Sequence, residues 1–279
     1  MYDTIDQLGK SIIQHGKSND RIYLMKLEKS DMFKILPQLG NLAEKNDYSK
    51  IFAKVPLWAT YYFEKNRFHK EAFIPKMYNG HTGIYFMSKF LKQSRYSLSK
   101  KNWDKIHDIL HIAKSKAKSF KANDSECPYL IRQLTQNDIP QLTELYKIVF
   151  KSYPFPIFED NYILKTMQEN IFYFGVFDGE KLISASSAET DMQHQNVEMT
   201  DFATHPDHLG NNLSFFLLNR MEEEMKKQGF ITSFTIARSI SPAMNITFAK
   251  NNYKYGGLLK NNTNISGNIE SMNVWYKKL

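Results

Sequence analysis

The chain has 279 residues, of which 42% are hydrophobic and 24% charged, and its formal net charge is +8. This is a globular composition with room for one large or two medium domains, and no run of about 18 apolar residues could span a bilayer. The first residues lack the basic and then apolar pattern of a signal peptide, and a single cysteine, Cys127, excludes an intrachain disulfide. The sequence therefore predicts a cytoplasmic protein without a membrane partner.

The positive charge is confined to the first part of the chain. Residues 1–127 carry 23 Lys and Arg against 13 Asp and Glu, whereas residues 128–279 carry 14 against 16. Much of the excess lies in residues 89–121, which we interpret as a strand end, a loop and a basic helix. Such a helix usually presents a solvated face, so a nucleic-acid partner is the less favoured interpretation.

The elements predicted for the first part alternate between helix and strand. In chain order they are a helix over 31–46, a strand over 50–55, a helix over 57–66, and strands over 68–74 and 83–90. The polar, small-residue segment around 113–129 closes with Pro128 and predicts a domain boundary. We therefore expect an accessory α/β domain over 1–127 and a second domain over 128–279.

The pattern after the boundary is that of a mixed α/β domain. A strand (YLIRQLT) leads to a helix that is capped by Gln136 to Asp138 and carries Pro140 in its first turn. Asp178-Gly179 predicts the turn of a hairpin. The other predicted elements are a loop (SYPFPIF), a helix over 159–169, a strand (VEMTDFAT), a helix from Leu213 to Gly229, a strand (ITSFTIA), a helix over 241–251 and two final strands.

A short internal similarity links the two parts. Residues 62–68 (YFEKNRF) parallel residues 247–253 (TFAKNNY) at an offset of 185, and each segment follows a predicted strand. Nothing in residues 1–127 looks like a phosphate-binding loop. We interpret the first part as a partial repeat of the second without cofactor chemistry, with chance similarity as the open alternative.

Residues 196–253 contain one ordered string of signals. A strand ends in a phosphate-loop-like turn (NVEMTDFATHPDHLGNN) and is followed by a long helix, a second strand and a helix that reads SPAMNITFAKNNY. That order resembles the acetyl-CoA half of a GNAT-type N-acetyltransferase. The resemblance implies a mixed α/β GNAT fold in the C-terminal half, preceded by a smaller, partial GNAT-like α/β domain. The turn departs from the family pattern, because only Gly210 remains of the usual Arg or Gln and two Gly.

The start of the helix after this turn is the predicted phosphate site. Unpaired N–H groups at a helix start bind anions with the help of the helix dipole, and Gly210 allows close approach of the backbone. The resemblance implies acetyl-CoA as the co-substrate. The residues assigned to it are Phe202, Ala203 and Thr204 on the strand, Leu209, Gly210, Asn211, Asn212, Leu213 and Ser214 at the helix start, and Asn245 and Phe248 on the later helix. No metal is predicted, because His107 and His111 have no third ligand nearby.

Acetyl transfer requires a neutral amine, and a primary amine has a pKa of about 10, so a base must remove a proton at pH 7. Glu198 stands six residues before Thr204, where several GNAT members place a general base. Asp201 is the other carboxylate of this strand and could instead hold a cationic substrate. For both, a solvated or salt-bridged strand residue is the alternative. Phe248 stands where the family often has a Tyr that protonates the departing thiolate, so the usual acid is absent or replaced.

Longer strings carry a narrower resemblance. The ending NNTNISGNIESMNVWYKKL, together with TDFATHP, FTIARSISPAMN and IQHGKSNDRIYLMKL, is similar to the β-lysine N-acetyltransferase family. This resemblance implies acetylation of the side-chain amine of β-lysine to give the osmolyte Nε-acetyl-β-lysine. A substrate with two ammonium groups and a carboxylate needs carboxylates at one end of its pocket and donors at the other. The candidate substrate-binding residues are Glu270, Asn261, Asn262, Asn264 and Asn273.

Two other functions stay open at this point. One is acetylation of a different amine, such as a polyamine, a peptide or a protein lysine. The other is a non-catalytic acetyl-CoA-binding module that contacts nucleic acid through the basic first part. A homo-oligomer is compatible with the sequence, which does not fix the oligomeric state.

Overall fold

The computed structural model describes residues 2–119, 127–265 and 267–279. The elements of the first half are β1 (Thr4–Leu8), β2 (Ser11–Gly16), β3 (Arg21–Lys26), α1 (Met32–Lys45), β4 (Lys50–Pro56), α2 (Leu57–Lys65), β5 (His69–Tyr78), β6 (Thr82–Phe90), α3 (Gln93–Tyr96) and α4 (Lys100–Ser119). Those of the second half are β7 (Leu130–Gln133), α5 (Ile139–Val149), α6 (Asp160–Glu169), β8 (Ile171–Asp178), β9 (Lys181–Asp191), β10 (Asn196–Thr204), α7 (Leu213–Lys227), β11 (Thr232–Arg238), α8 (Pro242–Lys250), β12 (Lys254–Ile265) and β13 (Asn268–Lys278). The mixed α/β class predicted from the sequence is confirmed.

All these strands form one 13-stranded sheet in the order β1-β2-β3-β4-β6-β5-β12-β13-β11-β10-β9-β8-β7. Strand β3 runs parallel to β4 and strand β10 runs parallel to β11, while the other pairings of the described strands are antiparallel. The first three strands were not predicted from the sequence. They form a meander at one edge of the sheet, and this meander turns out to border the candidate active site.

The two halves of the sheet join where β12 meets β5. Gly257 pairs with Ala72 there, and its φ of +147° is one that L side chains rarely adopt. A Cβ atom on Gly257 would lie 2.2 Å from the carbonyl oxygen of Glu71 and 2.6 Å from the Cα of Ala72. Because only glycine lets the two backbones approach this closely, Gly257 is a structural requirement of the junction.

The two halves share one topology. The order β1-β2-β3-β4-β6-β5 corresponds strand by strand and direction by direction to β8-β9-β10-β11-β13-β12, and α1 and α2 correspond to α7 and α8. Helices α2 and α8 begin 185 residues apart, which is the offset seen in the sequence. After each helix an aromatic pair closes the turn in the same way, with ring centroids 5.0 Å apart for Phe63 and Phe68 and for Phe248 and Tyr253.

Helix α4 belongs to the second half by its packing. Its residues Ile106, Leu110 and Ala113 are buried in the same apolar core as Phe248 and Trp275. The sequence interpretation of this segment as a basic helix with a solvated face describes only its outer side. Of the polar segment predicted as a domain boundary, residues 120–126 lie outside the described residues.

A bulge in β12 is bound to the first half by buried cations. The pairing with β13 shifts register between Leu259 and Thr263, which leaves three successive carbonyl groups free to turn toward the first half. The carbonyl of Lys260 accepts a hydrogen bond from Lys50 Nζ at 2.7 Å, that of Asn261 from Arg95 Nε at 2.7 Å and that of Asn262 from Arg21 Nη1 at 2.5 Å. Buried carbonyl groups need such partners, so the bulge depends on the first half for its conformation.

Candidate active site

The parallel strands β10 and β11 separate after a short stretch of pairing. Asn196, Val197 and Glu198 pair with β11, and beyond Glu198 strand β10 has no partner on that side among the described residues. The separation coincides with a bulge in the pairing with β9, where Asp201 has a φ of +56°. The result is a fork between two strands whose backbone groups face an open slot. Phe202, Ala203 and Thr204, predicted to contact acetyl-CoA, lie on the open arm of this fork.

The turn after β10 presents unpaired amides at the start of α7. Among the described residues, the backbone N–H groups of residues 210–214 donate to no other residue. Gly210 has a φ of +90° and Asn212 a φ of +56°, so both hold the left-handed backbone that this turn requires. Leu209, the first residue of the predicted loop, is exposed, and Leu213 is buried in the core. Five free amides at a helix N-terminus fit the pyrophosphate of a coenzyme A group.

A cavity of about 340 Å³ opens at the fork and is lined by both halves of the chain. Its wall from the second half contains the strand end with Glu198, Thr200, Asp201 and Phe202, the loop before α6 and one face of α8. Its wall from the first half comes from β2, β3 and β4, with Gln14, Arg21, Tyr23, Met25, Phe52 and Lys54. The residues of the first half were missed by sequence reasoning, because only the folded sheet brings them to the fork.

Three carboxylates converge at the end of the cavity nearest the fork. Glu198 stands directly opposite Glu189 in the pairing of β10 with β9, and Asp201 follows on the same strand. Like charges placed opposite each other on neighbouring strands destabilise a sheet, so this arrangement is one that a bound cation would relieve. Lys54 of β4 faces the cluster from the first half. No sequence pattern marked Glu189 as a site residue, because it stands in a strand that was predicted only as part of a hairpin.

The carboxyl group of Glu198 is the candidate base. Burial, reinforced by the nearby Glu189, raises the pKa of its carboxyl to about 8, while Lys54 and a hydrogen bond from the Ile236 amide act in the opposite direction. The side chain faces the cavity on one side and is surrounded by protein on the others. A carboxylate with so high a pKa is a stronger base than an ordinary glutamate and can accept a proton from an ammonium group.

Asp201 is held by hydroxyl groups. Tyr153 donates to one of its oxygens and Ser187 to the other, and Thr200 adds a longer hydrogen bond of 3.3 Å. Burial raises the pKa of Asp201, and these hydrogen bonds oppose that rise. With both oxygens engaged, Asp201 is suited to fixing the loop before α6 through Tyr153, and less suited than Glu198 to taking a proton from a substrate.

The residues predicted on α8 have different surroundings. Phe248 lines the cavity, and its ring packs edge-on against Phe202 at 5.6 Å, so it forms an apolar wall. Asn245 is fully buried, and its side-chain oxygen accepts hydrogen bonds from Asn273 Nδ2 at 2.8 Å and Trp275 Nε1 at 2.9 Å. Its amide donates to the Arg238 and Ser241 carbonyl groups. Asn245 and Asn273 thus bind each other and join α8 to β13, and neither lines the cavity.

The remaining predicted substrate residues also include one that lines the cavity and others that bind elsewhere in the chain. Asn262 lines the cavity, and its side-chain oxygen is buried without a hydrogen-bond partner. Asn261 donates to the Arg95 and Ser97 carbonyl groups, and Asn264 donates to the Ser18 carbonyl, so both fasten the β12 bulge and hairpin end to the first half. Glu270 accepts two hydrogen bonds from Arg238, at 2.8 and 2.6 Å.

Known proteins show the same domain. An acetyltransferase (GNAT) domain model matches residues 130–245. The structures that resemble this one include the ribosomal-protein-S18-alanine N-acetyltransferase of Escherichia coli, at 15% identity and a TM-score of 0.48 over 54% of this chain and 93% of that chain. A spermidine N-acetyltransferase mutant of Vibrio cholerae aligns at 17% identity and a TM-score of 0.48, over 55% of this chain and 95% of that chain. The strand fork, the free amides and the domain match together define a GNAT N-acetyltransferase.

The relatives by sequence are more specific. The β-lysine N6-acetyltransferase of Methanococcus maripaludis is 42% identical over 99% of this chain and 98% of its own length. The β-lysine N6-acetyltransferase of Methanosarcina mazei is 33% identical over 67% of this chain and 65% of its own length. The N-acetyltransferase YodP of Bacillus subtilis is 32% identical over 96% of both chains. The chain belongs to the β-lysine N6-acetyltransferase family.

Proposed function

We propose that the protein transfers the acetyl group of acetyl-CoA to the side-chain amine of β-lysine. The observation that supports this most directly is the cavity at the strand fork, in which Glu198 faces Glu189 and a base of raised pKa meets the open arm of β10. A cluster of carboxylates suits a substrate with two ammonium groups, as β-lysine is at neutral pH. The near full-length similarity to a β-lysine N6-acetyltransferase supports the same substrate.

Acetyl-CoA supplies an activated acyl group, and the chain supplies its binding and the proton transfer. The amides of residues 210–214 would hold the pyrophosphate, and the open arm of β10 at Phe202, Ala203 and Thr204 would hold the pantetheine. Glu198 takes one proton of the ammonium group, and the neutral amine then bonds to the thioester carbonyl carbon as the C–S bond breaks. Coenzyme A leaves as the thiolate, and the second proton of the nitrogen balances its charge. Phe248 has no proton to give to the departing thiolate, and its ring excludes water from that side of the cavity.

We assign no cofactor site to the first half. The turn that corresponds to residues 205–212 leads into α1, and there the carboxylate of Asp31 accepts hydrogen bonds from the Lys10 amide at 2.7 Å and Ser11 Oγ at 2.8 Å. The Ser11 hydrogen bond holds the pKa of Asp31 below its usual value. A negative charge at this helix start repels a phosphate, so the first half contributes a wall of the acceptor cavity and the second half contributes the cofactor site.

The test is an acetylation assay with purified protein and acetyl-CoA. Equal concentrations of β-lysine, α-lysine, spermidine and a lysine peptide are compared, and mass spectrometry identifies the acetylated nitrogen. We expect β-lysine to have the highest kcat/KM and its side-chain amine to be the modified group. A preference for spermidine or for the peptide would overturn the choice of substrate but leave the acetyltransferase activity in place.

A further inference from the structure

Arg21 is a buried cation with unused donors. Its side chain is 5% exposed and lines the cavity from β3. Its Nη1 donates to the Asn262 carbonyl at 2.5 Å and to Thr263 Oγ1 at 3.3 Å, and its buried Nε has no acceptor. Among the described residues the guanidinium forms no ion pair with a carboxylate. A buried charge without a bound counter-ion is strongly disfavoured, so this position favours the binding of an anion.

Aromatic contacts do not replace that anion. The guanidinium carbon of Arg21 lies 5.5 Å from the ring centre of Tyr23 and 5.3 Å from that of Phe52. Contacts of this kind involve the faces of the guanidinium plane, whereas its N–H groups point outward within the plane. Burial lowers the pKa of Arg21 to about 10, and the neighbouring Arg95 acts in the same direction. Tyr23 and Asp3, which forms no ion pair with Arg21, act against this lowering of the pKa. The Nε edge of the guanidinium is the one that binds a carboxylate side-on.

A second unused donor lies beside it. Gln14 of β2 is 2% exposed, lines the same cavity, and its buried Nε2 has no hydrogen-bond partner. Gln14 pairs with Tyr23 across β2 and β3. Because Arg21 is two residues from Tyr23 on the same strand, Gln14 and Arg21 are diagonal neighbours on one face of the sheet. Two such donors, both more than nine-tenths buried, form a built site for an anionic group.

This site lies in the same cavity as the proposed base. Tyr23 is close to both regions. Its ring contacts Arg21, and burial, together with the nearby charge of Glu198, raises the pKa of its hydroxyl. Asn262 adds a buried oxygen that lacks a donor, beside the carbonyl group that holds Arg21. The cavity therefore has carboxylates at the fork and, around Arg21, two free donors with one free acceptor.

We infer that Arg21 and Gln14 bind the carboxylate of the acceptor substrate, so that the first half of the chain selects an amino acid over a simple diamine. The inference rests on the proposed function, in which the acceptor is an amino acid with a second amine. Asn262 then accepts a hydrogen bond from the ammonium group next to that carboxylate. The substrate is held by its far end, and its side-chain amine is directed to Glu198.

The experiment compares β-lysine with 1,4-diaminopentane, which is the same molecule with hydrogen in place of the carboxylate. Arg21→Lys keeps the charge but removes the side-on edge, and Gln14→Leu removes the second donor at similar volume. We expect each variant to lower kcat/KM for β-lysine about 10- to 100-fold, the usual effect of losing a hydrogen bond to a charged group. The kcat/KM for 1,4-diaminopentane, low in the wild type, should change less than about threefold.

Arg95→Lys is the matched control. Arg95 is also buried and holds the neighbouring carbonyl of the same β12 bulge, but it does not line the cavity. If Arg21 acts only by holding the bulge, both arginine variants will lower the rates with both amines in the same proportion, and the inference is overturned. An unchanged preference for β-lysine in Gln14→Leu also counts against it. A wild-type protein that does not acetylate β-lysine overturns the proposed function, and this inference with it.

Discussion

At the level of single residues, the proposed chemistry depends on the carboxyl group of Glu198. Its pKa is raised to about 8 because the group is buried and because Glu189 stands opposite. The two oxygens of Asp201, three residues later, accept hydrogen bonds from Tyr153 and Ser187. The two carboxylates of this strand are therefore suited to different roles, Glu198 as the proposed base and Asp201 as a support, because their hydrogen-bond partners differ.

The raised pKa of Glu198 predicts the pH dependence of the reaction. Glu198 is a base only when ionised, so kcat/KM should rise about tenfold per pH unit below pH 8 and level off above it, until the substrate ammonium loses its own proton near pH 10. A profile from pH 6 to 9.5 with saturating acetyl-CoA measures this. A rise already complete at pH 6 would assign the base role to another group.

Glu198→Gln is the variant that tests the same residue. Turnover should fall at least about 100-fold, the usual contribution of a positioned base, while the KM for acetyl-CoA changes little. The pH dependence of the variant's thermal stability is an internal control. The folded-state pKa of Glu198 lies above the unfolded value, so ionisation destabilises the wild type as pH rises from about 4.5 through about 8. Glu198→Gln should therefore melt above the wild type at pH 9, with little difference at pH 4.5.

Among the secondary-structure elements, the fork between β10 and β11 and the turn before α7 form the proposed cofactor site. These elements themselves were predicted from the sequence, because a strand, a turn and a helix start are set by local residues. The positions of individual side chains were harder to predict. Asn245 and Asn273 have suitable chemistry for a ligand, yet they bind each other. Spacing along the sequence fixes the element but does not fix which polar partner a buried side chain finds.

A substitution in the turn before α7 should selectively weaken the binding of acetyl-CoA. Gly210 has a φ of +90° and free space around its Cα, so Gly210→Ala strains the backbone without a collision and displaces the free amides. The KM for acetyl-CoA should rise several-fold, while the KM for β-lysine stays within about twofold. Gly179→Ala is the control, because Gly179 also has a positive φ with open space, in the hairpin between β8 and β9. Equal effects of the two variants on the KM for acetyl-CoA would contradict a role for the turn.

The contact between β12 and β5 predicts a stability effect. Gly257→Ala places a methyl group 2.2 Å from a backbone oxygen, and the backbone cannot yield without opening the junction. The free energy of unfolding should fall by more than about 3 kcal/mol, as for other substitutions that strain a special backbone position. Gly40→Ala, in the exposed part of α1 with no neighbouring atom within 4 Å, should instead raise it by about 0.5–1 kcal/mol. Urea unfolding of both variants measures the difference.

At the scale of the whole molecule, the two halves form one sheet and one cavity. The sequence predicted the accessory α/β part and its repeat, but it assigned that part no role at the site. Gln14, Arg21 and Lys54 are far from Glu198 along the chain, and no local pattern indicates that β2, β3 and β4 fold back to face the fork. No helix of the described residues has both the length and the apolar character needed to cross a bilayer.

The buried ion pair of Lys50 and Glu71 connects the two halves, so we expect the halves to unfold together. Glu71 accepts hydrogen bonds from Lys50 Nζ at 3.1 Å and from the Lys260 amide at 2.7 Å. Glu71→Gln leaves a buried ammonium group without a counter-ion and should lower the free energy of unfolding by about 3–5 kcal/mol at pH 7. Burial lowers the pKa of Lys50 to about 8 even though Glu71 raises it, and without Glu71 it must fall further. The loss should therefore shrink as the pH rises toward 8, because Lys50 becomes neutral first in the variant and then in the wild type.

The control for this pair is at the surface. Glu64→Gln removes the exposed ion pair with Lys70, 2.8 Å long, and should change the free energy of unfolding by less than about 1 kcal/mol. Denaturant unfolding followed by both fluorescence and circular dichroism gives the values. Separate transitions for the two halves in the wild type would contradict the coupling.

The pairing of β5 with β12 relates the two repeats by an internal symmetry. The two strands occupy equivalent positions in the two repeats and run antiparallel, so each repeat presents the same edge to the other. This is the isologous geometry of a twofold dimer, here realised within one chain. A true dimer must keep both subunits alike. Because the two repeats are encoded separately, they can differ: the second has free amides at residues 210–214 where the first has Asp31, and the first places Arg21 and Gln14 in the wall of the shared cavity.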